Sequence, residues 1–370
     1  MDDPTTAASR RIAIVLFNLG GPDRPESIQP FLENLFSDPA ILRVPGFIRP
    51  WLGRLIARRR TPAATENYAV LGGRSPLLEL TTEQARSLET VLQADPGTTF
   101  RCFVAMRYWH PMSDAVARDV KEFGPDEIVL LPLYPQFSST TTGSSITAWN
   151  AACARAGLNV PTTTLCCWHS DDAFVHATAA IVRRAWNEAK TQLAEDVKLR
   201  ILFSAHGLPE SIVKRGDPYQ WQVERTVSGV VEALALPGLD AVVCYQSRVT
   251  PQKWIGPSTE KELERAAHEK VAVLICPIAF VSEHSETLVE LDVEYREAAE
   301  KMGVPAYFRV PAQNSDGAFI AGLAGLVRRA RASGRALCSF AGARQCPKVH
   351  RDCPHEAARV AQRDAARASA

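Results

Sequence analysis

Two places in the 370-residue chain carry side chains able to do chemistry together. His206 follows the apolar, strand-like run Leu199–Phe203 and stands between the small residues Ala205 and Gly207, so its imidazole projects with little crowding. An imidazole in that position is a proton acceptor, a metal ligand or a satisfied structural residue. The second place is the run Ser282–Glu294, which contains His284 and then Glu286, Glu290 and Glu294 at every fourth position. On a helix this spacing stacks three carboxylates on one face, at roughly 0.2–0.5 kcal/mol per like-charged pair. Solvent dilutes that cost on an exposed face. On a cavity wall, burial and mutual repulsion would raise the carboxyl pKa values and make the row a conduit for protons or metal ions. Leu288 and Leu291 give the same helix a core-facing side. Histidine plus carboxylates is a borderline-to-hard donor set, suited to Fe(II), Co(II) or Zn(II) held transiently. It lacks the closed four-ligand spacing of a structural zinc site.

Sulfur forms a third group. Cys338, Cys346 and Cys353 sit in a polar tail among Arg344, Lys348, His350 and Arg351, while the other six of nine cysteines lie in or beside apolar runs. An odd count distributed in this way does not read as a disulfide framework.

Strand-like runs at Ile12–Phe17, Cys102–Met106, Ile128–Leu133, Thr162–Cys167, Leu199–Phe203, Ala241–Tyr245 and Val271–Ile278 must position these groups. Between them lie helical patterns, including Thr81–Gln93, Ala173–Leu193, Gln220–Ala235 and Ser285–Lys301. The alternation predicts an α/β protein with parallel sheets. Ala13–Pro22 and Leu199–Pro209 share one outline, as do Leu130–Ser138 and Leu274–Ser282, which predicts two similar doubly wound, Rossmann-like halves with ligand at the carboxyl ends of the strands. The expected division is a disordered N-terminus over 1–10, a first half over 11–160, a second over 161–330 and a cysteine-containing extension over 331–370.

Composition excludes several classes. Forty-two basic against 41 acidic residues leave a net charge of +1, which argues against a general nucleic-acid binder. Val271–Val281, the longest apolar run, is about half of what spans a bilayer, and Met1–Ser9 lacks the apolar stretch of a secretory signal. A cytoplasmic location is therefore expected. Phe31–Arg60 breaks the pattern: it is rich in large apolar side chains, and from Ile41 to Arg60 it holds six arginines and no acid. Either it is an amphipathic helix pair covering the sheet, or it is an apolar, basic lip that meets an apolar anionic ligand or a peripheral membrane surface.

Several runs together resemble the ferrochelatase family, enzymes that insert ferrous iron into a porphyrin at the end of haem synthesis. They are Leu202–Pro209, Arg215–Tyr219, Tyr245–Arg248, Trp254–Pro257 and Ser282–Leu288, with Asn18–Pro22, Gly72–Pro76, Met106–Pro111 and Leu133–Ser138 in the first half. The match runs in order from about Arg11 to Val327. It implies that His206 and Glu286 face each other across a cleft, holding the Fe2+ substrate or taking pyrrole protons, and that Glu290, Glu294 and His284 complete the catalytic set. It also implies that Leu19, Arg107, Tyr108, Tyr134 and Trp254 line the macrocycle, under a lip formed by residues 31–60. Relatives with two arginines before the Gly-Gly stretch differ here, where Ala69 and Val70 stand.

The tail is similar to that of ferrochelatases holding a [2Fe–2S] cluster on three C-terminal cysteines and one internal cysteine. Cys338, Cys346 and Cys353 match the trio. Some relatives carry the internal cysteine where this chain has Ser138 and Ser139, so the expected fourth ligand is Cys167, with Cys166 and Cys153 as alternatives.

The expected reaction is insertion of Fe(II) into protoporphyrin IX, whose vinyl groups suit an apolar lip. Insertion into coproporphyrin III is the alternative within the class, and a non-catalytic tetrapyrrole carrier the alternative outside it. A nucleotide-binding Rossmann protein is disfavoured, because neither Asn18–Pro22 nor Leu71–Arg74 has the Gly-x-Gly-x-x-Gly spacing.

Overall fold

The computed structural model describes residues 9–247 and 252–360. Arg248 and the expected N-terminal tail up to residue 8 lie outside the described residues, and the first strand already begins at Arg10.

Among the described residues, nine strands form two parallel sheets: β1 (Arg10–Asn18), β2 (Thr98–Met106), β3 (Glu127–Pro132), β4 (Thr162–Leu165), β5 (Leu199–His206), β6 (Asp240–Gln246), β7 (Ala272–Pro277), β8 (Tyr307–Arg309) and β9 (Leu337–Cys338). The first sheet has the order β2-β1-β3-β4-β9 and the second β6-β5-β7-β8. Each half thus starts in mid-sheet, steps to one side and then returns to the other. That shared order is the duplication visible in the sequence, and it puts a topological switch point between β1 and β3 and another between β5 and β7. Both β4 and β9 belong to the first sheet, Thr164 pairing with Leu337, so that sheet extends past residue 160 and takes a strand from the cysteine-containing extension.

Helices cover both faces, which is why the strands are apolar throughout. They are α1 (Ile28–Phe36), α2 (Arg49–Val70), α3 (Leu77–Leu92), α4 (Ser113–Phe123), α5 (Thr142–Ala156), α6 (Asp172–Thr191), α7 (Glu210–Lys214), α8 (Tyr219–Leu234), α9 (Thr259–Glu269), α10 (Ser285–Leu288), α11 (Tyr295–Met302) and α12 (Gly317–Ala332). On β1, Ile12, Ile14 and Leu16 pack with α3 and α12, whereas Ala13, Val15 and Phe17 pack with α4 and α5. Helix α6 serves both cores: Phe174 and Ala177 enter the first, and Val175, Ala179 and Val182 enter the second.

The helix expected over Ser285–Lys301 is interrupted by one π turn, Glu290–Glu294, in which Glu294 N donates to Val289 O at 3.0 Å. The wider turn rephases the helix: Val289 and Leu291 are buried, whereas Leu288 is only partly so. No helix among the described residues is long and apolar enough to cross a membrane.

Candidate active site

His206 ends β5 and the Ser282–Glu294 run follows β7, so both flank the second sheet's switch point. Parallel pairing sets His206 opposite Gln246. Gly207 keeps this corner tight: a Cβ there would come within 2.7 Å of the Gln246 carbonyl and 3.2 Å of Trp254 Cε3. Tyr219, the first residue of α8, donates from its hydroxyl to the His206 carbonyl at 3.0 Å.

The structure brings His206 and Glu286 together, Nδ1 to Oε2, at 3.0 Å. The imidazole side chain is 35% exposed. Burial disfavours charge on both groups, but the pair outweighs it: the charge and hydrogen bond of Glu286 raise the His206 pKa above its ordinary value, and His206 holds Glu286 well below the usual carboxylate range. His284 is buried against Phe280, with ring centroids 4.6 Å apart, and burial lowers its pKa so that the neutral form prevails.

Glu290 stands behind this pair. Gln246 Nε2 donates to its Oε2 at 2.9 Å and to the Glu286 carbonyl at 3.0 Å, and Ser247 Oγ donates to the same Oε2 at 2.5 Å. Burial followed by the charge of Glu286 raises the Glu290 pKa. Glu294 departs from the row: it is exposed and accepts from Asn67 Nδ2 of α2 at 3.2 Å. Gln246, Ser247 and Tyr219 lie in the runs Tyr245–Arg248 and Arg215–Tyr219 that carry the resemblance, but the sequence reading assigns them no role, and Asn67 carries no distinctive spacing.

Of the first-half candidates, Arg107 and Tyr108 converge on an acid that the sequence reading overlooked. Asp38 is buried and accepts from Arg107 Nη2 and from the Tyr108 hydroxyl at 2.7 Å each, and from Ser144 Oγ. Arg107 Nε also donates to Ser144 at 2.7 Å, which engages the guanidinium inside the protein. Leu19 packs against the α1–α2 cluster, Tyr134 against the β1–α5 core, and Trp254 beside Gly207. On the 31–60 segment, Phe31, Leu32 and Ala57 are buried, while Phe47 and Trp51 are 86% and 67% exposed.

Cys166, Cys167, Cys338, Cys346 and Cys353 are all buried thiols. The sulfurs of Cys166 and Cys167 lie 3.3 Å apart, and Gln222 Nε2 donates to Cys346 Sγ at 3.1 Å. Hydrogen bonding from Cys166 holds the Cys167 thiol down to about 6, and that from Cys346 holds Cys353 at about 7, in each case against burial. Cys153 packs elsewhere, against the β1–α4–α5 core. Among the described residues, no three His, Cys, Asp or Glu side chains are grouped to hold a single metal ion.

Two doubly wound parallel-sheet halves are the chelatase fold. Among solved structures the chain is similar to SirB from Bacillus subtilis, solved with Fe3+, with a TM-score of 0.50 at 11% identity over 88% of this chain and 96% of that one. The ferrochelatase family profile matches residues 11–331. The ferrochelatase of Caulobacter vibrioides is 49% identical over 94% of this chain and 98% of its own length, and that of Pelagibacter ubique 45% over 92% and 98%. The chain belongs to the ferrochelatase family, enzymes that insert Fe(II) into a porphyrin in haem biosynthesis.

Proposed function

We propose that the porphyrin is protoporphyrin IX and that His206 and Glu286 perform the insertion. The observation that carries this reading is the 3.0 Å contact between His206 Nδ1 and Glu286 at the switch point. Porphyrin metallation removes two N–H protons from a flat ring, so a base must stand within hydrogen-bond reach of the pyrrole nitrogens. With Nδ1 turned to Glu286, Nε2 is left to accept those protons. Glu286, kept ionised by His206, stabilises the imidazolium that forms and offers an oxygen to the incoming Fe2+. Glu290 takes protons onward, a task suited to a carboxyl of raised pKa. His284, buried and neutral, positions the start of α10.

The exposed apolar side chains Phe47 and Trp51, set among arginines, support a lip that covers the vinyl-bearing ring and touches a membrane surface peripherally, consistent with a cytoplasmic protein. Arg107 serves here by neutralising Asp38 and fixing Tyr108 beneath that lip.

The tail thiols fit an iron–sulfur group by their donor chemistry: they are buried and unpaired by disulfides, although hydrogen bonding from Cys346 lowers the pKa of Cys353 alone among them, whereas burial raises that of Cys338 and the contact with Cys353 raises that of Cys346. Cys338, Cys346, Cys353 and Cys167 would hold a [2Fe–2S] cluster, with Cys166 the adjacent alternative to Cys167. Such a cluster would supply iron–thiolate cross-links that tie the tail to the segment following β4.

Anaerobic turnover with Fe(II) and either protoporphyrin IX or coproporphyrin III tests the reading. His206→Ala is expected to lower kcat by about 10²–10⁴ with porphyrin binding retained. Equal rates for variant and native protein, or faster turnover of coproporphyrin III, would overturn the assignment.

A further inference from the structure

We propose that Tyr295 and Glu260 form the route by which protons leave Glu290 for solvent, in place of the Glu294 end of the acidic row. This rests on the Fe(II)-insertion reading above. Glu290 divides its two oxygens between two tasks. Oε2 is held by Gln246 and Ser247, whereas Oε1 lies 3.3 Å from the Tyr295 hydroxyl, which in turn lies 3.1 Å from Glu260 Oε1. Tyr295 is buried, and Glu260 is half-buried in the first turn of α9. A phenol has one proton to donate, so two ionised carboxylates cannot both be satisfied by it. The chain closes when Glu290 is protonated, donating to the phenol oxygen while the phenol donates to Glu260.

Transfer then needs no other reactant. The Glu290 O–H bond breaks as its proton passes to the phenol oxygen, and the phenol's own proton passes to Glu260, which releases it to water. Tyr295 ends neutral and no electron moves. The charged groups that act on Glu290 include Glu286 on its own helical segment and His206 on β5, with Glu260 beyond the Tyr295 hydroxyl; burial and Glu286 favour its protonated form, and His206 opposes it. Glu294, by contrast, is exposed and bonded to Asn67, at the far end of the π turn that Glu290 begins. Tyr295 acts through Glu290 and is a positioning residue in that sense.

The experiment uses the full chain with Tyr295→Phe and with Glu260→Gln, following anaerobic Fe(II) insertion across pH at rising concentrations of a small buffer such as imidazole. Both variants are expected to lose about tenfold in kcat, less than the roughly 10²–10⁴ of direct general acid–base catalysis, at unchanged porphyrin KM. Added buffer should restore their rates without accelerating native protein. The route is overturned by native rates in both variants, by losses that buffer does not rescue, or by a buffer-rescued loss in Glu294→Gln when Tyr295→Phe and Glu260→Gln show none. Native protein that inserts no iron would instead defeat the underlying reading, a result visible before any variant is compared.

Discussion

His206 and Glu286 each change what the other does, and their coupling sets a pH dependence. Glu286 raises the imidazole pKa above its ordinary value, so, with His206 in the proposed role of base, acidic pH leaves it already protonated and unable to take a pyrrole proton. Insertion should therefore rise with pH as the medium passes above that raised value. Removing the carboxylate charge removes the cause, so an NMR titration of Glu286→Gln is expected to show the His206 imidazole titrating at lower pH than in native protein. An unchanged midpoint would mean that the pair is not electrostatically coupled. The same scale explains Arg107. A buried carboxylate needs its charge matched, and Asp38 draws the guanidinium inward.

Elements hold these side chains through buried polar ties that can be broken singly. Glu283 precedes the acidic segment, is buried, and accepts from Arg309 Nη1 and from the Ala312 amide at 2.8 Å each. Burial alone would raise its pKa, but Arg309 lowers it below 4.5. A depressed carboxyl stabilises the fold above its unfolded pKa and loses that contribution as pH falls below it. Glu283→Gln should thus destabilise near neutrality by about 2 kcal/mol, less than a fully orphaned buried pair because Asp292 still holds Arg309 at 2.7 Å. The difference from native should shrink in denaturation measured toward pH 3.

The tail depends on a glycine. Gly216 has φ +118°, and a Cβ there would lie 2.6 Å from the Arg351 amide nitrogen. Gly216→Ala combines backbone strain of about 1–3 kcal/mol with that clash, so Cys346 and Cys353 should react faster with a thiol reagent than in native protein.

At the scale of the molecule, the two halves are joined by buried amides. Gln84 of α3 is fully buried; it donates to the Val281 and Asn314 carbonyls at 2.9 and 3.0 Å and accepts from Ser282 Oγ at 2.9 Å. One first-half side chain thereby holds the loop that leads into His284 and Glu286. Leucine would fill the space but take this partner from the Asn314 carbonyl and the Ser282 hydroxyl, at about 1–3 kcal/mol each, while the Val281 carbonyl still accepts from the Asn314 amide at 2.9 Å. Gln84→Leu is expected to lower the unfolding free energy by about 3 kcal/mol and to reduce kcat, measured by urea denaturation and by turnover at a temperature where the variant remains folded. Gln136 makes a parallel tie, donating to Thr226 of α8 at 2.9 Å.

Most strand positions and the duplicated order were legible in the sequence, because apolar periodicity states which face of a segment is buried, whereas the short strands β8 and β9 were not. Periodicity does not state what lies opposite that face. The capture of Arg107 by Asp38 joins positions 69 residues apart, and the tie from Gln84 to Ser282 spans 198. The same reason explains why Cys166 and Cys167 meet the tail while Cys153 does not, since that depends on β9 pairing with β4. The π turn is a subtler case. An i, i+4 row of glutamates fits a regular helix, and only packing against β6 and α2 parts Glu294 from Glu290. Local chemistry thus followed from residue order, whereas the partners of each group were decided by contacts that form only when the chain has folded.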